Sequence, residues 1–407
     1  MTVKPKLITG WRTRLIRKRV QLFVVSEAFK LFHNPFQAIS EMKKLRDLLN
    51  KTHGSSVIFK YIKSGRQFYW NSDYCGFPSV NLKNLIHGEF FRNGQITING
   101  FAKQPQLQTL IWGITNRCPL SCQHCYEWDN IAQNDQLDLE SLRKILTIFK
   151  ANGIRHIQFS GGEPLTRFND LVELIREASV SMDCWLLTSG FGLSHDKAFA
   201  MKKAGLTGVN ISLDHWNAQL HNNFRKNEKS YAMAVDGVQN CLDANIIVSL
   251  SLCATREFVT EENLIKYATL AKNIGAHFIR ILEPRAAGKF SMQNVKLEKH
   301  QVKLLSDFTI RMNTDPKYKD FPIISFFGYH QRKMGCFGAG NRYVYVDPNG
   351  GMHACPFCRG MMGNLLDEPF DKIIEKVKVI GCHEFENQAR TEFQRIEIHQ
   401  TSTVNSE

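Results

Sequence analysis

Residues 115–126 read Thr-Asn-Arg-Cys-Pro-Leu-Ser-Cys-Gln-His-Cys-Tyr and set three thiols, Cys118, Cys122 and Cys125, inside eight residues at the spacing C-x3-C-x2-C. Thiolate is the soft ligand that iron–sulfur clusters and zinc select, and three so close in sequence wrap one metal centre. The nearest other cysteines are Cys75 and Cys184. A cube of four irons with only three protein ligands keeps one iron open to something else. Zinc sites usually pair C-x2-C with a second, distant pair, whereas the first gap here is three; zinc or a set of core thiols is the alternative reading.

Working outward, the chain from Leu107 alternates strand and helix. Strands are expected at 107–114, 154–160, 183–188, 208–213, 246–252 and 277–282, and helices near 138–151, 170–179, 195–204, 228–244 and 261–274. Most of these helices end near a glycine or asparagine, at Asn152-Gly153, Gly205, Asn245 and Gly275, which suits left-handed helix ends. Strict alternation argues a parallel sheet with crossover helices. The cysteine triplet follows the first strand, and Ser160-Gly161-Gly162-Glu163-Pro164 follows the second. The glycines let backbone approach a ligand closely, and Glu163 supplies an acceptor for an ammonium group.

The pattern C-x3-C-x-Φ-C, with His124 in the Φ slot, followed at this offset by Gly161-Gly162-Glu163, resembles the cluster loop and "GGE" motif of the radical S-adenosylmethionine (SAM) enzymes. The resemblance implies an α/β fold built on a partial (β/α)6 TIM-type barrel, with its site where the loops leave the strand C-termini. It implies a SAM-binding [4Fe-4S] cluster on Cys118, Cys122 and Cys125, with S-adenosyl-L-methionine on the open iron. One electron from an external flavodoxin- or ferredoxin-like donor then yields a 5′-deoxyadenosyl radical that abstracts hydrogen from a C–H bond. His124, Gly161, Gly162 and Glu163 are cofactor contacts by the same resemblance. Thr188-Ser189-Gly190 and Asn210-Ile211-Ser212-Leu213-Asp214 are also family-like, so the Ser189 and Ser212 hydroxyls are expected at the cofactor's ribose or carboxylate. Asp214 is a candidate to face substrate. His215 stands where the family has glycine, and Arg280 and Glu283 either hold a ligand or pair within the barrel.

A second cysteine set follows. Cys336, a turn at Asp347-Pro348-Asn349-Gly350, then Cys355 and Cys358 give C-x13-G-x4-C-x2-C, with Gly363-Asn364-Leu365 leading to a helix that ends near Cys382. This resembles SPASM and Twitch domains and implies one auxiliary [4Fe-4S] cluster on Cys336, Cys355, Cys358 and Cys382. Zinc in the same thiols is the alternative. Cys75, Cys184, Cys241 and Cys253 read as structural.

Composition adds a charge asymmetry. Of the net +14, residues 1–105 hold 18 Lys/Arg against 5 Asp/Glu, leaving a nearly neutral remainder. Leu22, Val25, Phe29 and Phe32 share one face of a basic helix, which either lies on an anionic membrane surface or packs on the protein's own core. No apolar run reaches the ~18 residues of a membrane span, and no signal-peptide order is seen, so a cytoplasmic protein is expected, with peripheral contact at the inner membrane surface as an option. Its 11 cysteines then read as metal ligands and reduced thiols. Residues 56–101 suggest a hairpin over Val57–Ile62 and Gln67–Trp70, a helix over Asn81–Phe91 and a strand over Gln95–Asn99. The expected organisation is a basic accessory region at 1–105, the radical SAM barrel at 106–292, the auxiliary domain at 293–383 and a polar tail at 384–407. The candidate substrates are a small molecule, a lipid-linked or membrane-associated compound, or a ribosomally made peptide. A zinc-stabilised binding module is the non-enzyme alternative, and no nucleic acid is expected.

Overall fold

The computed structural model of the chain describes residues 4–32, 34–53, 60–92, 97–98, 101–102, 107–131 and 133–380. Cys382, the tail at 384–407 and parts of the expected strands at 57–62 and 95–99 lie outside the described residues. The N-terminal third supplies β1 (Lys6–Ile8), α1 (Trp11–Leu31), α2 (Pro35–His53), β2 (Tyr61–Ser64), β3 (Gln67–Tyr69), α3 (Val80–Arg92), β4 (Thr97–Ile98) and β5 (Phe101–Ala102). Next come β6 (Thr109–Gly113), α4 (Leu139–Ala151), β7 (His156–Ser160), α5 (Phe168–Ala178), β8 (Asp183–Thr188), α6 (His195–Ala204), β9 (Leu206–Ser212), α7 (Ala218–Arg225), α8 (Ser230–Asp243), β10 (Ile247–Cys253), α9 (Glu261–Asn273) and β11 (Phe278–Leu282). The chain continues through α10 (Lys299–Thr314), β12 (Ile323–Phe326), α11 (Phe327–Met334), β13 (Tyr343–Val346), β14 (Gly351–Cys355), β15 (Cys358–Asn364) and α12 (Phe370–Ile380).

The helices form where caps and apolar periodicity agree. Asp138, Ser194 and Thr260 cap α4, α6 and α9 by accepting a backbone N–H three residues on, and Gly205 closes α6 in the left-handed region at φ 110°. In α5, Leu171, Leu174, Ile175 and Ala178 make the stripe that packs on the sheet.

Ten strands form one sheet in the order β12-β11-β10-β9-β8-β7-β6-β13-β14-β15. The six expected strands are β6 to β11, all parallel. Two more join them in parallel: β12 beside β11, and β13 beside β6. The boundary expected between residues 292 and 293 is therefore no break in the sheet. Ile323-Ile324-Ser325-Phe326 is a strand too short to stand out by periodicity, and β13 covers the edge that β6 would otherwise expose. β12 and β13 do not pair, so the barrel is open along that side.

Along the strands Leu186, Val209, Ile211, Val248, Leu250 and Ile279 pack outward against the helices. On the alternate face Trp185, Ile247, Phe278 and Ile323 close the barrel floor together with Ile62 and Tyr69 of the β2–β3 hairpin. Each such fully buried large side chain contributes about 1.5–3 kcal/mol. Above the floor the same face turns polar, with Gln158, Asn210, Ser249, Arg280 and Ser325. A closed barrel fills this space with branched apolar layers; here it is kept for something else.

The N-terminal region is tied to the barrel by buried polar contacts. Lys60 Nζ donates to the carbonyls of Met312, Tyr318 and Phe321 at 2.8, 2.6 and 3.0 Å. Asp183 accepts from Gly76 N and Asn81 Nδ2, both at 3.1 Å. Asp73 pairs with Arg280 at 3.3 Å and accepts from Gln158 Nε2 at 2.9 Å. Between this region and the open side of the barrel lies a chamber of about 780 Å³. Among the described residues no helix is long and apolar enough to cross a membrane.

Three buried histidines outside the cysteine loop set an acid limit. Burial holds His156, His221 and His277 down at about 4, against about 6.5 in the unfolded chain. The unfolded chain therefore binds more protons between those values, and stability falls as pH drops through that window. Urea midpoints should be flat from about pH 8 to 7 and fall between about 6.5 and 5, less steeply in His277→Asn. A midpoint unchanged across that range contradicts the assignment.

Candidate active site at the barrel mouth

The cysteine triplet leaves β6 on a loop fastened by Asp135, which accepts from Thr115 Oγ1 at 2.7 Å, Asn116 N at 2.8 Å and Arg117 Nε at 2.8 Å. The Gly161-Gly162-Glu163 turn lies directly against it. Gly162 N donates to Thr115 O and Glu163 N to Arg117 O, both at 2.8 Å. A Cβ on Gly161 would sit 2.6 Å from Thr115 O, and one on Gly162 2.4 Å from Arg117 O; Gly161 also has φ 140°. The sequence suggests glycines cleared for a ligand. In the structure their immediate neighbour is the backbone of the cluster loop. From the other side Lys289 N donates to Cys125 O at 2.9 Å, and a Cβ on Gly288 would be 2.2 Å from that same oxygen.

Glu163 is buried and fully engaged. Oε1 accepts from Thr188 Oγ1 at 2.7 Å and Leu165 N at 3.2 Å, and Oε2 from Ser189 Oγ at 2.6 Å and Ser189 N at 2.8 Å. Burial raises its pKa, and these four donors work against that rise. The Ser189 hydroxyl proton, expected at a cofactor oxygen, is thus committed to Glu163. Ser212 is half-buried at the end of β9, in register with Ser251. His124 stacks on Phe224 with ring centres 4.6 Å apart and planes at 10°, and Phe290 lies 6.5 Å away. Desolvation holds its imidazole at about 4, so it is neutral at physiological pH.

Asp214, expected to face substrate, is buried and taken by Arg225. Arg225 Nε donates to Oδ2 at 2.6 Å, and Cys253 N to Oδ1 at 2.9 Å. Burial pushes the Asp214 carboxyl up, but the Arg225 charge prevails and lowers it. The other arm of Arg225 reaches Cys122, Nη1 to Sγ at 3.7 Å. Arg225 escaped the sequence reading because it ends a short, mostly polar helix, α7. His215 accepts from Asn217 N at 2.9 Å and packs on Phe258, which makes it part of its turn. Arg280 and Glu283 form ion pairs, Arg280 with Asp73 and Glu283 with both arms of Arg332 at 2.6 Å.

The second set gathers at the far wall of the chamber. Cys355 and Cys358 face each other across the β14–β15 hairpin, and Cys336 joins them around Tyr343. Two consecutive residues couple this set to the first. Tyr126, directly after Cys125, packs edge-on against Phe357 at 6.0 Å and Tyr345 at 5.9 Å. Glu127 Oε1 accepts from Arg359 Nη1 at 2.6 Å and Tyr345 OH at 2.7 Å. Phe357 and Arg359 flank Cys358.

The donor set fits an iron–sulfur cluster. Burial pushes Cys118 and Cys125 up to about 12, and Cys122 upward against the pull of Arg225. Thiols in such surroundings stay protonated unless a metal displaces the proton. Among the described residues no three His, Cys, Asp or Glu side chains close on a single ion. Two outcomes follow. Gly162→Ala should displace the cluster loop and lower bound iron with the far-UV spectrum unchanged; full iron content contradicts the backbone seam. Removing the Arg225 cation from Cys122 should make the cluster harder to reduce. The midpoint potential from an EPR-monitored titration should move negative in Arg225→Gln and partly return in Arg225→Lys, and an unmoved potential contradicts the contact.

Comparison with known proteins agrees with this geometry. The radical SAM superfamily model matches residues 112–271. The AdoMet-dependent heme synthase of Oleidesulfovibrio alaskensis is 24% identical over 297 residues, covering 67% of this chain and 75% of that protein. The mycofactocin maturase MftC of Mycolicibacterium smegmatis is 26% identical over 268 residues, covering 64% and 67%. Streptococcus suis SuiB, solved with its precursor peptide SuiA, superposes with a TM-score of 0.53 over 89% of this chain and 82% of that one; at 12% identity this shows a shared fold. With the cysteine loop, the Gly161-Gly162-Glu163 turn and the parallel partial barrel, these matches identify the chain as a member of the radical SAM superfamily, whose enzymes use a [4Fe-4S] cluster and S-adenosyl-L-methionine.

Proposed function

We propose that this radical SAM enzyme functionalises a C–H bond of an elongated, largely apolar substrate, lipid-like or lipid-linked, held in the chamber beside the cluster loop. The observation that carries this reading is the lining of the roughly 780 Å³ cavity. Tyr126, next to Cys125, is on one wall; Val20, Val24, Leu82, Leu85 and Ile86 of α1 and α3 are on another. Gln158 and Arg280, joined to each other and to Asp73, form a polar band partway along it. An apolar chamber of this size suits a ligand buried over most of its surface.

The bound cluster and S-adenosyl-L-methionine supply the hydrogen-abstracting radical. The residues of this chain hold and shield it. Cys118, Cys122 and Cys125 ligate the cluster, and His124, in its aromatic slot with Phe224 and Phe290, makes a neutral flat contact for the cofactor's adenine. Gly161, Gly162 and Glu163 form the turn assigned to the cofactor's amino group: the glycines present backbone, and the Glu163 carboxylate, held by Thr188, Leu165 and Ser189, keeps the turn rigid. Ser189 keeps that carboxylate oriented, and Ser212 is offered to the ribose or carboxylate. The N-terminal helices exclude water from a site where a radical must not be quenched. Cys336, Cys355 and Cys358, with Cys382 as fourth ligand, are assigned to one auxiliary [4Fe-4S] cluster. Phe337, Pro356 and Phe357 around that set also line the chamber, which supports a role beside the substrate. A flavodoxin- or ferredoxin-like protein is the proposed electron donor.

A ribosomally made peptide is the second reading, favoured by the maturase among the sequence relatives and by the peptide bound to SuiB. With reduced enzyme and S-adenosyl-L-methionine, an organic-phase extract should raise 5′-deoxyadenosine formation above its basal level. Leu85→Trp, which fills the chamber, should abolish that stimulation and leave the basal level and the iron content unchanged. Stimulation by a peptide fraction alone contradicts the apolar-substrate reading.

A further inference from the structure

α1 is apolar on two sides. Its inner side contributes Arg17, Val20, Gln21 and Val24 to the chamber wall. Its outer side exposes Trp11, Leu15, Leu22, Val25 and Phe29, and the start of α2 adds Phe36 and Ile39. Leu22 is 68% exposed and Phe36 83%. Residues 11, 15, 18, 22, 25 and 29 alternate steps of four and three, so they form one stripe along the helix. The stripe's remaining member is Lys18, and Arg12, Arg14 and Arg19 are exposed around it. The helix's only acid, Glu27, is buried at 2% and bound by Lys30, Lys83 and His87, so it takes no charge away from the outer face. From residue 4 to 47 the chain has eleven Lys/Arg against three Asp/Glu.

We propose that α1 and the start of α2 dock the protein on an anionic bilayer, with the apolar stripe in the headgroup–acyl boundary and the basic residues against lipid phosphates. The interleaving of charge selects this occupant. Protein interfaces are depleted of lysine at their cores, whereas at a bilayer Lys18 reaches the headgroups while its stem lies among acyl chains. Trp11, Phe29 and Phe36 suit the same boundary, and the cationic excess complements an anionic leaflet. Docked in this way, a single helix separates the bilayer from the chamber. That gives the apolar substrate proposed above a short route in; the delivery role rests on that reading, while the docking itself does not.

The test is co-sedimentation of the full-length holoprotein with sucrose-loaded vesicles of phosphatidylcholine, with and without about 30% phosphatidylglycerol. Binding is expected with the anionic vesicles, weakened by salt, and weak with phosphatidylcholine alone. Leu15→Ser/Leu22→Ser/Phe36→Ser should lose about tenfold or more of that affinity, and Arg12→Gln/Arg14→Gln/Lys18→Gln should lose its salt-sensitive part. All of these side chains are exposed, so iron content and basal S-adenosyl-L-methionine cleavage should match the wild type. Equal retention by the variants, or no binding to anionic vesicles, overturns the proposal. So does a dimer by light scattering that the Ser variant abolishes while vesicles are ignored, which makes a second copy the occupant. Because vesicle binding is read without turnover, a failed docking and a wrong substrate class are told apart.

Discussion

The backbone seam between the cysteine loop and the Gly161-Gly162-Glu163 turn governs the rest of the site. Two hydrogen bonds, into Thr115 O and Arg117 O, lock the loop after the first barrel strand to the loop after the second. Glycine is required because neither position has room for a Cβ. Glu163 then carries the constraint to the third strand through Thr188 and Ser189. The loop that carries Cys118, Cys122 and Cys125, the proposed ligands of one cube, is thereby positioned by rigid strand ends, which is how a scaffold keeps a reactive centre in register. Arg225 brings the fourth and fifth strands into the same network by joining Asp214 to Cys122, with Cys253 N on the same carboxylate.

The two cysteine sets are likewise one mechanical unit. Tyr126 and Glu127 leave the first set and meet Phe357, Arg359 and Tyr345 around the second. Glu127 is buried, and its pairing with Arg359 is compensated by the Tyr345 hydroxyl, so the junction is a satisfied polar contact. It also explains why β13 lies beside β6. The second cysteine set continues the barrel sheet, and Phe337, Pro356 and Phe357 around it line the chamber.

Much of this was legible in the sequence, and what was not has physical reasons. The cysteine spacing, the Gly161-Gly162-Glu163 turn and the strand–helix alternation are local patterns, and the six central strands follow from them. Polar contacts bridge residues far apart in sequence, so Arg225 with Cys122, Lys60 with the carbonyls at and after the end of α10, and Asp73 with Arg280 have no local signature. β12 has four residues, too few for a period to register. The N-terminal region read as a basic accessory because its charge is visible and its partners are not; folded, its hairpin is the barrel floor and its helices are the chamber wall. Ser189 and Asp214 stand in family-like segments at strand ends, and the resemblance implies ligand contacts there. That placement holds, but their polar atoms are used in orienting Glu163 and Arg225.

In the proposed chemistry, three thiolates at the mouth leave one iron open to S-adenosyl-L-methionine. Low-temperature EPR of the anaerobically reduced protein tests it most directly, recorded before and after S-adenosyl-L-methionine is added. A four-iron signal whose g values shift on addition is expected. In Cys118→Ala/Cys122→Ala/Cys125→Ala that signal should be lost and only an unresponsive one should remain. A spectrum indifferent to S-adenosyl-L-methionine in the fully loaded wild type would contradict it.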